Sequence, residues 1–160
     1  MPRQYWLFKS EPDVFSWDDL VQAPDRTTLW DGVRNYQARN LLRDTMKVGD
    51  GVLFYHSRAN PQEIAGVARI VRSGYPDPSQ FDPKSKYHDP KATPENPRWF
   101  SVDVRAEQAF RHRPTLPELK ARDDLDGLML LRRGARLSVQ PVSAEHWKRL
   151  VTLGRPQRLD

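Results

Sequence analysis

The sequence predicts an α+β fold, a small, strongly bent mixed sheet or open β-barrel decorated by short helices. Three observations lead there. Five or six apolar stretches have the length and composition of strands. The helical stretches between them are short and do not follow the β-α-β rhythm of a doubly wound parallel sheet. No internal repeat, Gly-x-Gly-x-x-Gly run or phosphate-loop pattern is present. With 160 residues, one domain is expected over 1–155, followed by a short tail at 156–160. A chain of this length buries roughly 70% of its unfolded surface and needs no staple.

Tyr5 to Lys9 reads as the first strand, aromatic and apolar on both faces and therefore covered on both. Lys9-Ser10-Glu11-Pro12-Asp13 ends it as a polar rim or an ordinary turn set by Pro12. Ser16 starts a short helix, with Asp19 as the capping-box acid and Phe15 and Leu20 as a staple pair. Ala23 to Arg26 is a loop leading to Trp30. Asn35 caps a helix from Tyr36 to Met46, which turns Ala38, Leu41, Leu42 and Met46 inward.

After the Lys47–Gly51 turn, Val52 to Tyr55 is a second apolar strand, from whose end His56-Ser57-Arg58 emerges. Glu63 to Val71 returns as a strand, and Gly66 marks a bulge or a close backbone approach. Six prolines (76, 78, 83, 90, 94 and 97) then break the stretch from Ser73 to Pro97. It also carries Tyr75, Phe81, Tyr87 and His88, too many rings for a disordered linker. A long loop that wraps the domain and helps to close a site is expected.

Trp99 to Val104 alternates as a strand. Phe110 to Glu118 is a connector, Leu119 to Leu125 a short helical turn, and Leu128 to Leu131 a helix end before Gly134. Arg136 to Val142 is the last strand. Ser143 caps a final helix with Trp147, Leu150 and Val151 as its buried stripe, and Gly154 stops it. The tail beyond should fray.

Composition narrows the chemistry. There is no cysteine, which removes disulfides and thiolate catalysis. The histidines at 56, 88, 112 and 146 have no metal-ligand spacing, so neither metal nor cofactor is expected. No apolar run is long enough to cross a membrane, and a cytoplasmic monomer is expected. The formal charge of +5 suits an anionic partner. Five tryptophans, five tyrosines and six phenylalanines pack the core, with one or two rings free to act as stacking platforms.

The most unusual stretch is Trp30-Asp31-Gly32-Val33-Arg34-Asn35-Tyr36, which follows neither a strand nor a helix period. A loop tip entering a helix offers free N–H groups and polar side chains on a rigid base. It reads either as a pocket or as a capped helix beside a buried Trp30. His56 is either a ligand donor or a satisfied rim histidine.

Assembled, these stretches resemble the EVE domain family. The resemblance rests on Tyr5-Trp6-Leu7-Phe8-Lys9-Ser10-Glu11-Pro12, on Trp30 to Asn40, and on Gly49-Asp50 with Phe54-Tyr55-His56-Ser57. It continues through Tyr75-Pro76-Asp77, Phe81-Asp82, Tyr87-His88-Asp89-Pro90-Lys91, Pro97-Arg98-Trp99 and Arg136 to Val142. Arg58 and His88 depart from the usual asparagine and tyrosine. The family implies a PUA-like fold and non-catalytic recognition of a modified base in DNA or RNA, with modified cytosine in DNA the leading case. It also implies a nuclease or modification-system protein as a companion.

On that reading Trp30, Tyr87 and Trp99 are the candidate rings. Lys9, Ser10, Asn35, His56 and Ser57 meet the polar edge of the base, beside Val33. Arg34, Arg39 and Arg58 hold the nucleic-acid backbone. An enzyme using Lys9, Glu11 and His56, or an interaction module built on the 73–97 loop, are the alternatives.

Overall fold

The computed structural model describes residues 3–134 and 136–159. Seven strands form one open mixed sheet: β1 (Tyr5–Ser10), β2 (Thr27–Trp30), β3 (Gly51–His56), β4 (Glu63–Pro76), β5 (Phe100–Phe110), β6 (Val139–Val142) and β7 (Pro156–Arg158). The order is β2-β5-β4-β3-β1-β6, with β7 also on β5. Only β1 and β3 run parallel; the other pairs are antiparallel. Short helices decorate the sheet: α1 (Trp17–Gln22), α2 (Tyr36–Asn40), α3 (Leu116–Lys120) and α4 (Ala144–Gly154).

Both faces of the central strands are buried, as their unbroken apolar sequence requires. Trp6, Phe8, Val52 and Phe54 face one core, together with Trp17, Trp30, Val33, Leu42 and Val104. Leu7, Leu53 and Tyr55 face a second core with Phe110, Leu125, Leu128 and Leu150. The register of β4 on β5 shifts at three places, and such bulges bend long strands. A further shift between Phe54 and Tyr55 lies opposite Gly66. A Cβ at Gly66 would come within 2.4 Å of the Trp17 ring, so Gly66 serves both of its expected purposes. Buried Asp50 ties the start of β1 to the turn before β3, accepting from the Gln4 and Lys47 N–H groups and from Trp6 Nε1.

The capping box of α1 forms as the sequence predicts, with Ser16 Oγ accepting from Asp19 N and Asp19 Oδ2 accepting from Ser16 N. The helix after Asn35 is α-helical only to Asn40 and widens into a π turn over Leu41–Thr45, closed by Met46 N donating to Leu41 O. The wider turn keeps Leu42 and Met46 buried.

Several boundaries differ from expectation. Between the expected loop at 23–26, which holds a 3-10 turn, and Trp30 lies a strand, Thr27–Trp30, because β5 supplies a partner. β4 runs on to Pro76 and β5 to Phe110, because they pair with each other beyond the region of regular apolar alternation. The helical turn expected at 119–125 is divided between α3, set by a Thr115–Glu118 capping box, and a 3-10 turn at Asp123–Leu125. Before Gly134 there is only a 3-10 turn at Met129–Leu131. The last predicted strand is shorter, β6 alone. Gly154 is the final helical residue, and Arg155 takes the left-handed conformation after it. The glycine makes room instead: a Cβ there would lie 2.4 Å from the Phe110 ring. The described part of the tail joins the sheet, since Pro156–Arg158 pairs with Gln108–Phe110 as β7.

One buried side chain ties the two ends of the proline-rich loop together. Gln80, fully buried, donates from Nε2 to the carbonyls of Asp77 and Trp99 and accepts at Oε1 from Arg98 N and Trp99 N. This knot pins the two ends of the excursion and carries Lys86 and Tyr87 back against the sheet.

Candidate functional site

Parallel pairing of β1 with β3 explains why polar residues follow two separate buried strands. The register Ser10↔His56 puts both strand ends at one edge of the sheet, where Ser57 N donates to Ser10 O at 2.9 Å. Trp30, at the end of β2, reaches the same edge. A cleft of about 680 Å³ opens there.

Phe15, Trp30 and Val33 give the cleft apolar lining, and the Tyr87 ring lines it as well. Trp30 is only 9% exposed. It packs on Phe8 at 5.1 Å and edge-on to Phe54 at 5.7 Å, so it belongs to the core and lends one surface to the cleft. Gly32 has φ +79°, and a Cβ there would meet the Tyr87 ring at 2.6 Å. Glycine is thus required twice at this position, for its conformation and for the ring it admits.

Asp77, fully buried, holds this loop. It accepts from Gly32 N at 2.8 Å and from Arg34 Nη1 at 3.0 Å. Arg34 also donates to Tyr87 O through Nε and Nη2 and to Ser79 Oγ. Its guanidinium is spent fastening the 77–87 segment to the 31–34 loop.

Five cations line the cleft, Lys9, Arg34, Arg58, Lys86 and Arg136, against the carboxylates of Glu11 and Asp31. Burial lowers the Lys9 pKa from its ordinary value. The Asp31 carboxyl is raised, first by burial and then by the neighbouring Asp77 charge, with Arg34 and Lys86 opposing. Arg58 is 85% exposed beside Glu11 at 3.5 Å. The Ser10 hydroxyl donates to Phe15 O, so its oxygen faces the cleft as an acceptor only.

Of the residues singled out from sequence, the structure gathers Lys9, Ser10, Trp30, Val33, Arg34, Ser57, Arg58 and Tyr87 here. Four others lie outside the lining. Asn35 is committed to its cap, with Oδ1 accepting from Ala38 N. His56 is buried, and its Nε2 accepts from Trp17 N at 3.0 Å; burial, then the Arg113 charge, lowers its pKa. Lys9, Glu11 and His56 are therefore not brought together. Trp99 is buried, stacks on Tyr36 at 4.9 Å and donates to Asp89. Arg39 donates to Arg98 O. Sequence reasoning passed over Phe15, Asp31, Lys86, Arg136 and Ser138 as site residues. Asp31 and Lys86 were detectable as neighbours of Trp30 and Tyr87, whereas nothing local marks Arg136 or Ser138. Among the described residues no group of three His, Asp or Glu side chains converges as a metal site, and no helix is long and apolar enough to cross a membrane.

Comparison with known proteins places this geometry among relatives. A model of the EVE domain matches residues 4–153. Thymocyte nuclear protein 1 of Danio rerio is 41% identical over 165 residues, covering 92% of this chain and 71% of that protein. A Pseudomonas putida protein of known crystal structure superposes with a TM-score of 0.88 at 50% identity, covering 93% of this chain and 98% of that one. The human THYN1 protein, crystallised in complex with 5-methylcytosine-containing DNA, superposes with a TM-score of 0.89 at 38% identity, covering 96% and 99%.

Proposed function

The chain belongs to the EVE domain family, and we propose that its cleft reads a modified cytosine in DNA, without catalysis, by admitting the base out of the stack. The observation that carries this reading is the convergence, in one cleft, of an apolar lining, an aromatic ring, a carboxylate and a cationic rim. The human relative crystallised with 5-methylcytosine-containing DNA supports it.

Each part has a distinct task. Trp30 and Tyr87 offer faces to a planar base, a contact that contributes about 1–3 kcal/mol. The Asp31 carboxylate is an acceptor, and cytosine differs from thymine in presenting an amino donor at N4. Lys9 and Ser57 can donate to the base's carbonyl edge. Phe15 and Val33 give a C5-methyl group apolar surface. Burying one methyl contributes roughly 0.8 kcal/mol, about a fourfold preference. Arg58, Lys86 and Arg136, at the mouth, suit phosphates.

The test is binding of matched oligonucleotides, DNA and RNA, single- and double-stranded, carrying cytosine or 5-methylcytosine. Wild type should prefer the methylated DNA. Asp31→Ala should weaken cytosine-class binding by about 2 kcal/mol, roughly thirtyfold, as loss of a hydrogen bond to a charged group does. Tyr87→Ala should weaken binding of both oligonucleotides by about 1–3 kcal/mol, the contribution of a stacked base. Equal binding of all oligonucleotides by wild type, or binding that both substitutions leave unchanged, would overturn the reading.

A further inference from the structure

A second cleft, of about 520 Å³, lies between α4, the start of the chain and the outer surface of β4, β5 and β7. Its lining includes five arginines, Arg3, Arg26, Arg69, Arg105 and Arg158, and one carboxylate, Glu107. It shares no lining residue with the cleft beside Trp30. Five guanidinium groups around one cleft repel one another unless an anion sits among them.

For Arg3, Arg69, Arg105 and Arg158 the local partners do not balance the charge. Glu107 reaches Arg69 only at 3.9 Å. Asp25, itself largely exposed, stands 3.5 Å from Arg105. The buried Nε of Arg105 has no hydrogen-bond partner. Arg158 is exposed and makes no ion pair among the described residues. Arg3 lies over the stacked rings of Tyr5 and Trp147, 5.4 and 5.6 Å from their centroids, which pins the cation at the cleft wall.

The spacing of these charges indicates the shape of the ligand. Arg69 and Arg105 are direct partners across β4 and β5, and Arg26 precedes Thr27, the β2 partner of Arg105. Arg105 and Arg69 thus stand side by side on neighbouring strands, about 5 Å apart at the usual strand spacing, and with Arg26, Arg3 and Arg158 they line one extended cleft. One phosphate group can be met by two or three guanidinium groups, so five along one cleft suit a repeated anion. Arginine's planar fork suits phosphate oxygens in particular.

We propose that this cleft binds the phosphodiester backbone of nucleic acid, as a second contact that reads no base. The proposal rests on the reading that the chain binds nucleic acid, and it assigns part of that affinity to a surface away from the base cleft. Its mark is electrostatic: each phosphate contact removed should lower the salt dependence of log K by about one, equally for every sequence.

The experiment measures binding of cytosine and 5-methylcytosine oligonucleotides over a salt series, for wild type, Arg158→Gln and the double variant Arg69→Gln/Arg158→Gln. Thermal melting confirms that each is folded, and exposed Arg158 provides a variant with little structural risk. The salt slope is expected to fall by about one and then about two, with both oligonucleotides weakened alike and the methyl preference kept. An unchanged slope in a wild type that prefers 5-methylcytosine would overturn the second contact and leave the base reading standing. No methyl preference, with a slope that still falls, would do the reverse. Failure to bind any oligonucleotide would overturn both. Polyglutamate binding as tightly as unmodified DNA of equal charge would overturn the assignment to nucleic acid.

Discussion

At the scale of single residues, His56 shows how a polar group after a buried strand can serve the fold. Its Nε2 accepts from the Trp17 amide, which holds α1 against the sheet, and only a neutral ring can accept there. Burial and Arg113 lower its pKa below the ordinary histidine value. In the window between that lowered value and about 6.5, the unfolded chain binds the proton and the folded chain does not. Stability contributed by the neutral ring is therefore complete above about pH 6.5 and lost as pH falls through the folded value. Thermal melting from pH 7.5 to 5.5 should show this loss. His56→Gln, which keeps an acceptor that does not titrate, should flatten that limb; an equally steep acid limb in the variant would refute the assignment. Asp31 is shifted the opposite way, by burial beside Asp77. Its use as an acceptor should fade on acidification sooner than that of an ordinary surface aspartate.

At the scale of elements, the chain uses glycine to let aromatic rings touch backbone. The Trp17 ring covers Gly66 and the Phe110 ring covers Gly154, joining α1 to the sheet and β5 to α4. Gly66→Ala forces the Trp17 ring or the strand to move and should cost about 1–3 kcal/mol, the usual range for overpacking. Denaturant unfolding measures it, and a loss below about 0.5 kcal/mol would mean that the contact yields freely. The caps were legible because Ser16 with Asp19, Asn35 and Ser143 carry their signal within four residues. The extents of β4 and β5 were not. Strand hydrogen bonds belong to the backbone, and Arg72 or Gln108 carries no mark of pairing with Asp103 or Val67.

At the scale of the whole molecule, the open sheet is finished by its last residues. β7 adds to the edge of β5 beyond the place where β2 ends, and Leu159 N donates to Glu107 O. Ending the chain after Arg155 exposes that edge and should cost about 2 kcal/mol, or about 5 °C in Tm; an unchanged Tm would show the pairing to be dispensable. The sequence by itself determined the two-faced central strands, the capped short helices and the family, because each is written in local periodicity or in side chains at short spacing. It also marked most of the cleft, since Lys9-Ser10, Trp30 to Arg34 and Ser57-Arg58 are polar or irregular runs directly at the ends of apolar strands. Tertiary structure alone decided that β1 and β3 run parallel, bringing those ends to one edge. It gave His56, Asn35 and Trp99 to the fold and Asp31, Lys86 and Arg136 to the cleft. It also assembled five arginines, Arg3, Arg26, Arg69, Arg105 and Arg158, into one surface. Those outcomes depend on which distant backbone supplies a hydrogen-bond partner and which ring fills a neighbour's space, and neither is encoded within reach of the residue concerned.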